Sequence, residues 1–289
     1  MITSIVESFI DKVSNLRVVV IGETIIDEFV PVTYEGPSMK SLCPALKIAG
    51  KKEVHHGGAA AIANHLKDFV KQVHLVSNPP GEIIKTRYVD MNDGRKHVEI
   101  NHFSLSEHAN FINSSDYDVV IIADFGHGFC DAFEITGEFH LMCQTNSNNF
   151  GFNRISKWKN YKKKTVCIDL REASLQMNRK ASFADLSEVN ELYNYELNAE
   201  HLFITLGSEG ALHYNGSQIK RHHSFKSTIV DTIGAGDTFF AFISLASTIQ
   251  DNENILKVPS LAASLSTTWQ GNKKSVTKQN LLAYATQFV

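Results

Sequence analysis

Short β-branched apolar runs alternate along this chain with longer stretches of helical character. Arg17–Gly22 is the first such run, and Val73–Ser77, Asp118–Asp124, Thr165–Asp169 and Leu202–Leu206 follow it. Their hydrophobicity is continuous rather than alternating, which predicts parallel strands covered on both faces. Three of them end on a small or acidic residue: Gly22, Asp124 and Asp169. Helices are predicted over Met1–Leu16, Ala59–Val70, a stretch after Phe129, Ser187–Leu197, Ala235–Ile249 and Asn254–Trp269. This alternation implies right-handed crossovers and an α/β fold, a doubly wound, mostly parallel sheet with helices on both faces. Ligands in such folds sit at the carboxyl ends of the strands.

Two stretches break the rhythm. Pro31–Val54 and Ile83–Phe103 are rich in polar β-formers and turn residues, among them Gly36-Pro37 and Asn92-Asp93-Gly94. The second predicts a hairpin, Lys85–Met91 against Lys96–Phe103 around an Asn92–Arg95 turn. Together they predict a small β lid over the sheet edge of a single domain spanning residues 1–289. Asn146–Asn149 is expected to be a surface loop, and there is no internal repeat.

Composition narrows the function. A net charge of −3 over 289 residues excludes a generally basic nucleic-acid or membrane-surface binder. No apolar run approaches the roughly 18 residues of a membrane helix. The N-terminal stretch carries Glu7 and Asp11 and lacks a basic start, so it predicts an amphipathic helix rather than a signal peptide. The four cysteines are scattered with no CxxC pair, which points to reduced, mostly buried thiols and a cytoplasmic location.

The chemistry concentrates in Asp231-Thr-Ile-Gly-Ala-Gly-Asp-Thr-Phe-Phe240. A β-like run, Ser227–Asp231, meets Gly234 and Gly236, then Asp237, then a strongly apolar helix. The glycines allow close backbone approach, so the amides of residues 234–237 can point from a helix N-terminus at an anion. A carboxylate inside a phosphate cradle would repel its ligand. Asp237 makes sense there if it takes a proton from a hydroxyl that attacks the phosphate.

Asp231–Asp237 resembles the DTxGAGD signature of the ribokinase-like (PfkB-type) sugar kinases at every fixed position. Gly57-Gly58-Ala-Ala resembles that family's N-terminal glycine pair, and Gly22-Glu-Thr-Ile-Ile-Asp27 its first strand with a sugar-binding Asp. Ala123-Asp-Phe-Gly-His-Gly128 and Leu186-Ser-Glu188 are similar to segments of the bacterial heptose-7-phosphate kinases of ADP-heptose synthesis, within a likeness covering about residues 15–285. The resemblance implies transfer of the γ-phosphoryl of ATP, with Mg²⁺, to a hydroxyl of a sugar or sugar phosphate in a nucleotide-sugar or surface-polysaccharide pathway. It implies Asp237 as general base and Gly234, Ala235 and Gly236 as the anion hole. It implies Asp27, Asp124 and the Gly57-Gly58 backbone as sugar contacts. It further implies Thr205, Gly207, Gly210, Asp231 and Thr232 on the nucleotide side, and Glu188 with Asp185 in the network around Mg²⁺. The lid often serves as a homodimer clasp in this family.

The departures from the pattern bear on substrate. Ala61 replaces a substrate-binding Asn, Asp185 the Asn that opens the metal segment, and His127 a Lys. Ser77–Ile83 is shorter than the family's turn and helix. A missing buried hydrogen bond is worth about 1–3 kcal/mol, enough to change substrate choice. These differences leave open a kinase for another sugar, or a non-catalytic ligand-binding relative. Lys85, Arg87 and Arg171 are the candidates to hold a phosphate already on the acceptor. Adjacent histidines on a strand point to opposite faces, so neither His55-His56 nor His222-His223 chelates an ion alone.

Overall fold

A computed structural model describes residues 2–104, 110–145, 153–182, 186–194 and 197–288. The expected loop at Asn146–Asn149 lies outside the described residues. Helix α1 (Ile2–Val13) leads into β1 (Arg17–Gly22) and the long β2 (Thr24–Pro37). β3 (Pro44–Ile48) and β4 (Glu53–Gly58) precede α2 (Ala59–Leu66). Then come β5 (Gln72–Val76), β6 (Ile83–Asp90), β7 (Lys96–Phe103) and β8 (Asn110–Ile112). The middle of the chain forms β9 (Val119–Asp124), β10 (Phe133–Ile135), β11 (Phe139–Cys143) and β12 (Lys163–Asp169). Helices α3 (Leu170–Gln176) and α4 (Leu186–Asn194) precede β13 (Ala199–Thr205), β14 (Ala211–Tyr214) and β15 (Ile219–His222). Three helices follow: α5 (Ala235–Thr248), α6 (Lys257–Ser266) and α7 (Lys278–Ala285).

The main sheet runs β15-β14-β13-β12-β11-β9-β1-β5. It is parallel from β5 to β13, and β14 and β15 extend it antiparallel. Successive side chains on β1 face opposite ways, which divides the core in two. Val18 and Val20 pack with Phe9, Ile62, Phe240 and Leu281, on the face covered by α1, α2, α5 and α7. Val19 and Ile21 pack with Trp158, Val189 and Leu192 on the other.

The stretch after Phe129 is not the expected helix. It forms a single 3-10 turn, Phe129–Ala132, followed by β10 and β11. Gly137, with φ +87°, is a poor fit to a continuous helix. All five residues of β11 are buried, but His140 interrupts the apolar run that would have announced a strand. His140 is accommodated between the Thr165 and Thr248 hydroxyls, each 3.0 Å away.

The segments expected to form a lid build a second sheet, ordered β3-β2-β6-β7, with β4 also on β2. The β6–β7 hairpin pairs Lys85 with Asn101 and Arg87 with Glu99. Asp90 fixes its turn, accepting from the Asn92 and Tyr34 amides and pairing with His97. The short Ser77–Ile83 connection is held by buried Asn78, whose Oδ1 accepts from the Thr24 amide and whose Nδ2 donates to the Thr24 carbonyl. Cys130, Cys143 and Cys167 are buried thiols, Cys43 is exposed, and all are free. Among the described residues no helix is long and apolar enough to cross a membrane.

Candidate active site

Gly234 opens α5 with φ +82°, and a Cβ there would lie 2.3 Å from Asn272 Oδ1, so this turn requires glycine. Gly236 faces open space. The first-turn amides of a helix lack internal acceptors and aim positive charge outward. Asp231 braces the turn from behind, Oδ1 accepting from the Ile233 amide and Oδ2 from the Gly271 amide. It also pairs with Lys96 of β7 at 3.2 Å. Ser227–Asp231 is not the expected strand; the Val230 and Asp231 amides donate instead to the Thr267 carbonyl.

Asp237 follows in the first turn of α5 and is buried. Burial pushes its carboxyl up to about 7, with Asp27 adding to the rise and Lys85 and the Gly58 backbone opposing it. Asp27 on β2 is buried as well, paired with Arg87 Nη1 at 2.5 Å. The Arg87 Nε donates to Glu99 at 2.8 Å. A Cβ on Gly57 would meet Asp27 Oδ2 at 2.4 Å, and one on Gly58 would meet the Glu23 carbonyl at 2.3 Å. The Lys85 side chain makes no hydrogen bond or ion pair among the described residues. Burial, with Arg87 nearby, holds it below the usual lysine range, against the pull of Asp27, Glu99 and Asp237.

One cavity of about 1450 Å³ brings most of the predicted residues together. Asp27, Gly58, Lys85, Arg87 and Arg171 line it with Thr232, Gly234, Ala235, Gly236 and Asp237. Thr205, Gly207 and Gly210 line it too, together with Phe225, Ile229 and Ala263. Gly57 borders the site through Asp27. Asp231 stands behind the turn, outside the lining.

Two predicted residues lie elsewhere. Asp124 is fully buried, accepting from Trp158 Nε1 at 2.7 Å, Asn153 Nδ2 at 3.1 Å and the Gly126 amide at 3.0 Å. Lys157 pairs with it at 2.7 Å, so its place is in the core and not on the cavity wall. Glu188 pairs with Arg179 at 3.0 Å and accepts from the Ser182 amide and hydroxyl. Asp185 lies outside the described residues. Ala61 is buried within α2, and Trp269 is core.

Sequence reasoning passed over Glu23 and Asn272. Glu23 is fully buried and accepts from the Phe125, His127 and Phe129 amides, while its carbonyl accepts from Ala59. It joins the β1–β2 corner to the glycine turn and the 125–129 loop. Burial and Asp124 push its carboxyl up to about 8. Ligand atoms of Glu23, Asp124 and Cys130 lie within 4.8 Å of one another, but protein donors already occupy both carboxylates. Only the acidic residue just past the strand end hinted at Glu23. Nothing in the sequence around Asn272 singled it out.

Residues 161–279 match the family model described as pfkB family carbohydrate kinase. A ribokinase from Lactococcus lactis is 45% identical over 47 residues, which is 15% of this chain and 16% of that relative's length. The structure of a ribokinase from Thermotoga maritima superposes with a TM-score of 0.69 at 17% identity, covering 94% of this chain and 99% of that one. A nucleoside kinase from Methanocaldococcus jannaschii, described as an archaeal member of the ribokinase family, gives 0.67 at 14% identity, covering 95% and 99%. An Arabidopsis thaliana ribokinase complexed with ribose and ATP gives 0.63 at 14% identity, covering 94% and 99%. The chain thus has the ribokinase-like α/β fold, and its residues 161–279 are similar in sequence to the pfkB family carbohydrate kinases.

Proposed function

We propose that this chain is an ATP- and Mg²⁺-dependent kinase that transfers the γ-phosphoryl group to a hydroxyl of a sugar or sugar phosphate, with Asp237 as general base. The observation that carries this reading is a buried carboxyl, raised to about 7, beside an open anion turn and across the same cavity from Asp27. Such a group is matched to accepting a proton at neutral pH. Asp27 accepts from a sugar hydroxyl and orients it, and Asp237 takes the proton of the hydroxyl whose oxygen attacks phosphorus. The Ala235 amide already donates to the Thr232 carbonyl at 3.2 Å, so on this reading the amides of Gly234 and Gly236 face the charge that develops on the transferring group.

The nucleotide belongs between Gly207 and Gly210 on one side and the apolar wall of Phe225 and Ala263 on the other. Mg²⁺ neutralises phosphate charge and is held largely by phosphates and water with one or two carboxylates. That suits this cavity, where Asp169 lies on the wall. Glu188 and Asp185 would act on the ion through water.

The finer reading is a heptose-7-phosphate-like acceptor, its product destined for nucleotide-sugar or surface-polysaccharide synthesis. Its support is Lys85, whose side chain has no ion-pair partner among the described residues; Arg87 is already committed to Asp27 and Glu99. In the same reading the second sheet serves as a lid and as a homodimer clasp, consistent with exposed Tyr34, Ile48 and Ile100. The test is coupled ADP release over a panel of free and phosphorylated sugars. Turnover with a phosphorylated heptose above all others is the expected result. ATP binding without turnover on any sugar would leave a non-catalytic ligand-binding protein.

A further inference from the structure

Asn272 sits where the two halves of the proposed reaction meet. A Cβ on Gly57 would come within 3.1 Å of its Nδ2, and one on Gly234 within 2.3 Å of its Oδ1. The carboxamide therefore spans the gap between the glycine turn beside Asp27 and the turn that starts α5. It lines the same cavity as Asp27 and Asp237. The side chain is half-buried and makes no hydrogen bond among the described residues. The backbone is anchored on both sides of it, because the Gly271 amide donates to Asp231 and the Lys273 amide to the Gln270 carbonyl.

The neighbouring acidic groups define what this amide can do. An ionised carboxylate only accepts hydrogen bonds, so Asp27 and Asp237 can hold a hydroxyl by its proton but offer nothing to its lone pairs. A neutral amide donor between them fills that need without adding charge to the anion turn. We propose that Asn272 is a specificity-determining residue that donates from Nδ2 to a hydroxyl of the acceptor. Asp27 and Asn272 then recognise neighbouring hydroxyls from opposite chemical sides, one accepting and one donating. The acceptor class is a polyhydroxylated carbon chain or ring that carries a vicinal diol beside the phosphorylated position. This inference rests on the phosphoryl-transfer reading and names its substrate class.

The test compares wild type with Asn272→Ala, Asn272→Ser and Asn272→Asp by ADP release under Mg²⁺-ATP. Acceptors are D-ribose, D-fructose 6-phosphate and D-glycero-D-manno-heptose 7-phosphate, each beside its monodeoxy analogues. ATP binding and thermal midpoints are measured alongside. On one monodeoxy analogue, wild type should lose about tenfold to a hundredfold in kcat/KM, because the amide is left unpaired. Asn272→Ala should lose a similar factor on the parent sugar and nothing further on that analogue. Asn272→Asp should lose more than Ala, since it sets a third carboxylate near two others. If a folded Ala or Ser variant keeps wild-type kcat/KM, or loses equally on every parent and analogue, this inference is overturned and the kinase reading stands. If wild type binds ATP yet releases no ADP with any acceptor, the kinase reading falls and this inference with it.

Discussion

His65 Nε2 lies 3.0 Å from Thr238 Oγ1, a bond that joins α2 to the first turn of α5 immediately after Asp237. The other ring nitrogen accepts from the Val276 amide at 3.0 Å, so the proton sits on Nε2 and is donated to Thr238. The Thr238 hydroxyl in turn donates to the Gly234 carbonyl at 2.9 Å, which ties the turn that opens α5 to the core. Burial holds His65 down to about 4.

Acid should therefore loosen the site from behind. The folded pKa is below the unfolded value near 6.5, so the stabilising contribution is complete above about 6.5 and is lost as pH falls toward 4. His140 and His213, each lowered to about 3 by burial, act in the same direction. Urea unfolding at pH 7, 6 and 5 should show falling stability. His65→Ala should cost about 2–4 kcal/mol at pH 7 and make the decline with acid shallower. An unchanged slope would assign the acid response to the other histidines.

Asp237→Asn keeps size and helix-start geometry but removes the proton acceptor. Its kcat should fall about 10²–10⁴-fold while ATP affinity is retained or improves. Wild-type kcat/KM should drop as pH falls through about 7, because the base must be ionised to work. Near-normal kcat in a folded Asn variant would remove Asp237 from the mechanism.

The same residue should weigh on stability with the opposite pH dependence from the histidines. Its folded pKa is raised, so its contribution is complete below the unfolded carboxylate value near 4 and is lost as pH rises through about 7. Asp237→Asn should raise the thermal midpoint at pH 8 and change it little at pH 4. A midpoint shift that is the same at both values would mean that the charge is not what strains the wild type.

Lys85 and Arg87 should separate by substrate. Lys85→Ala should raise KM for a phosphorylated acceptor and barely change a free sugar, since only the anion needs the cation. Arg87→Ala should instead strand buried Asp27, costing about 3–5 kcal/mol of stability and weakening every acceptor alike. Steady-state kinetics on paired free and phosphorylated sugars, with a melting curve for each variant, decides both. Equal losses on both substrates for Lys85→Ala would make that side chain structural.

Hydrogen exchange tests the second sheet. Amides in residues 31–54 and 83–103 should slow when acceptor saturates the cavity. Exchange that is indifferent to acceptor would mean that this sheet does not act as a cover.

Much of this was legible because neighbouring residues in the chain carry it. β9 shows in sequence because all six of its residues are buried, and the Gly234–Asp237 turn because glycine spacing and carboxylate fall within four positions. The rest depends on what arrives from elsewhere. β11 was concealed by His140, whose cost of burial is met by threonines on β12 and α5. Asp124 has the strand-end position of a ligand contact, yet Trp158 and Asn153, over 25 residues away, take its carboxylate into the core. Asn272 acquires meaning only when Gly57 and Gly234, far apart in the chain, meet across it.

β2 is a single strand of 14 residues that is paired within the second sheet from Thr24 onward, and Asp27 lies in its first few positions. A strand is stiff along its length, so any swing of the second sheet carries Asp27 with it. On the proposed reaction, gripping the acceptor and drawing down the cover are then one motion rather than two. A water molecule entering alone offers Asp27 no rigid set of hydroxyls to pull against. On the proposed reaction, the mechanics of the backbone would thereby disfavour wasteful hydrolysis.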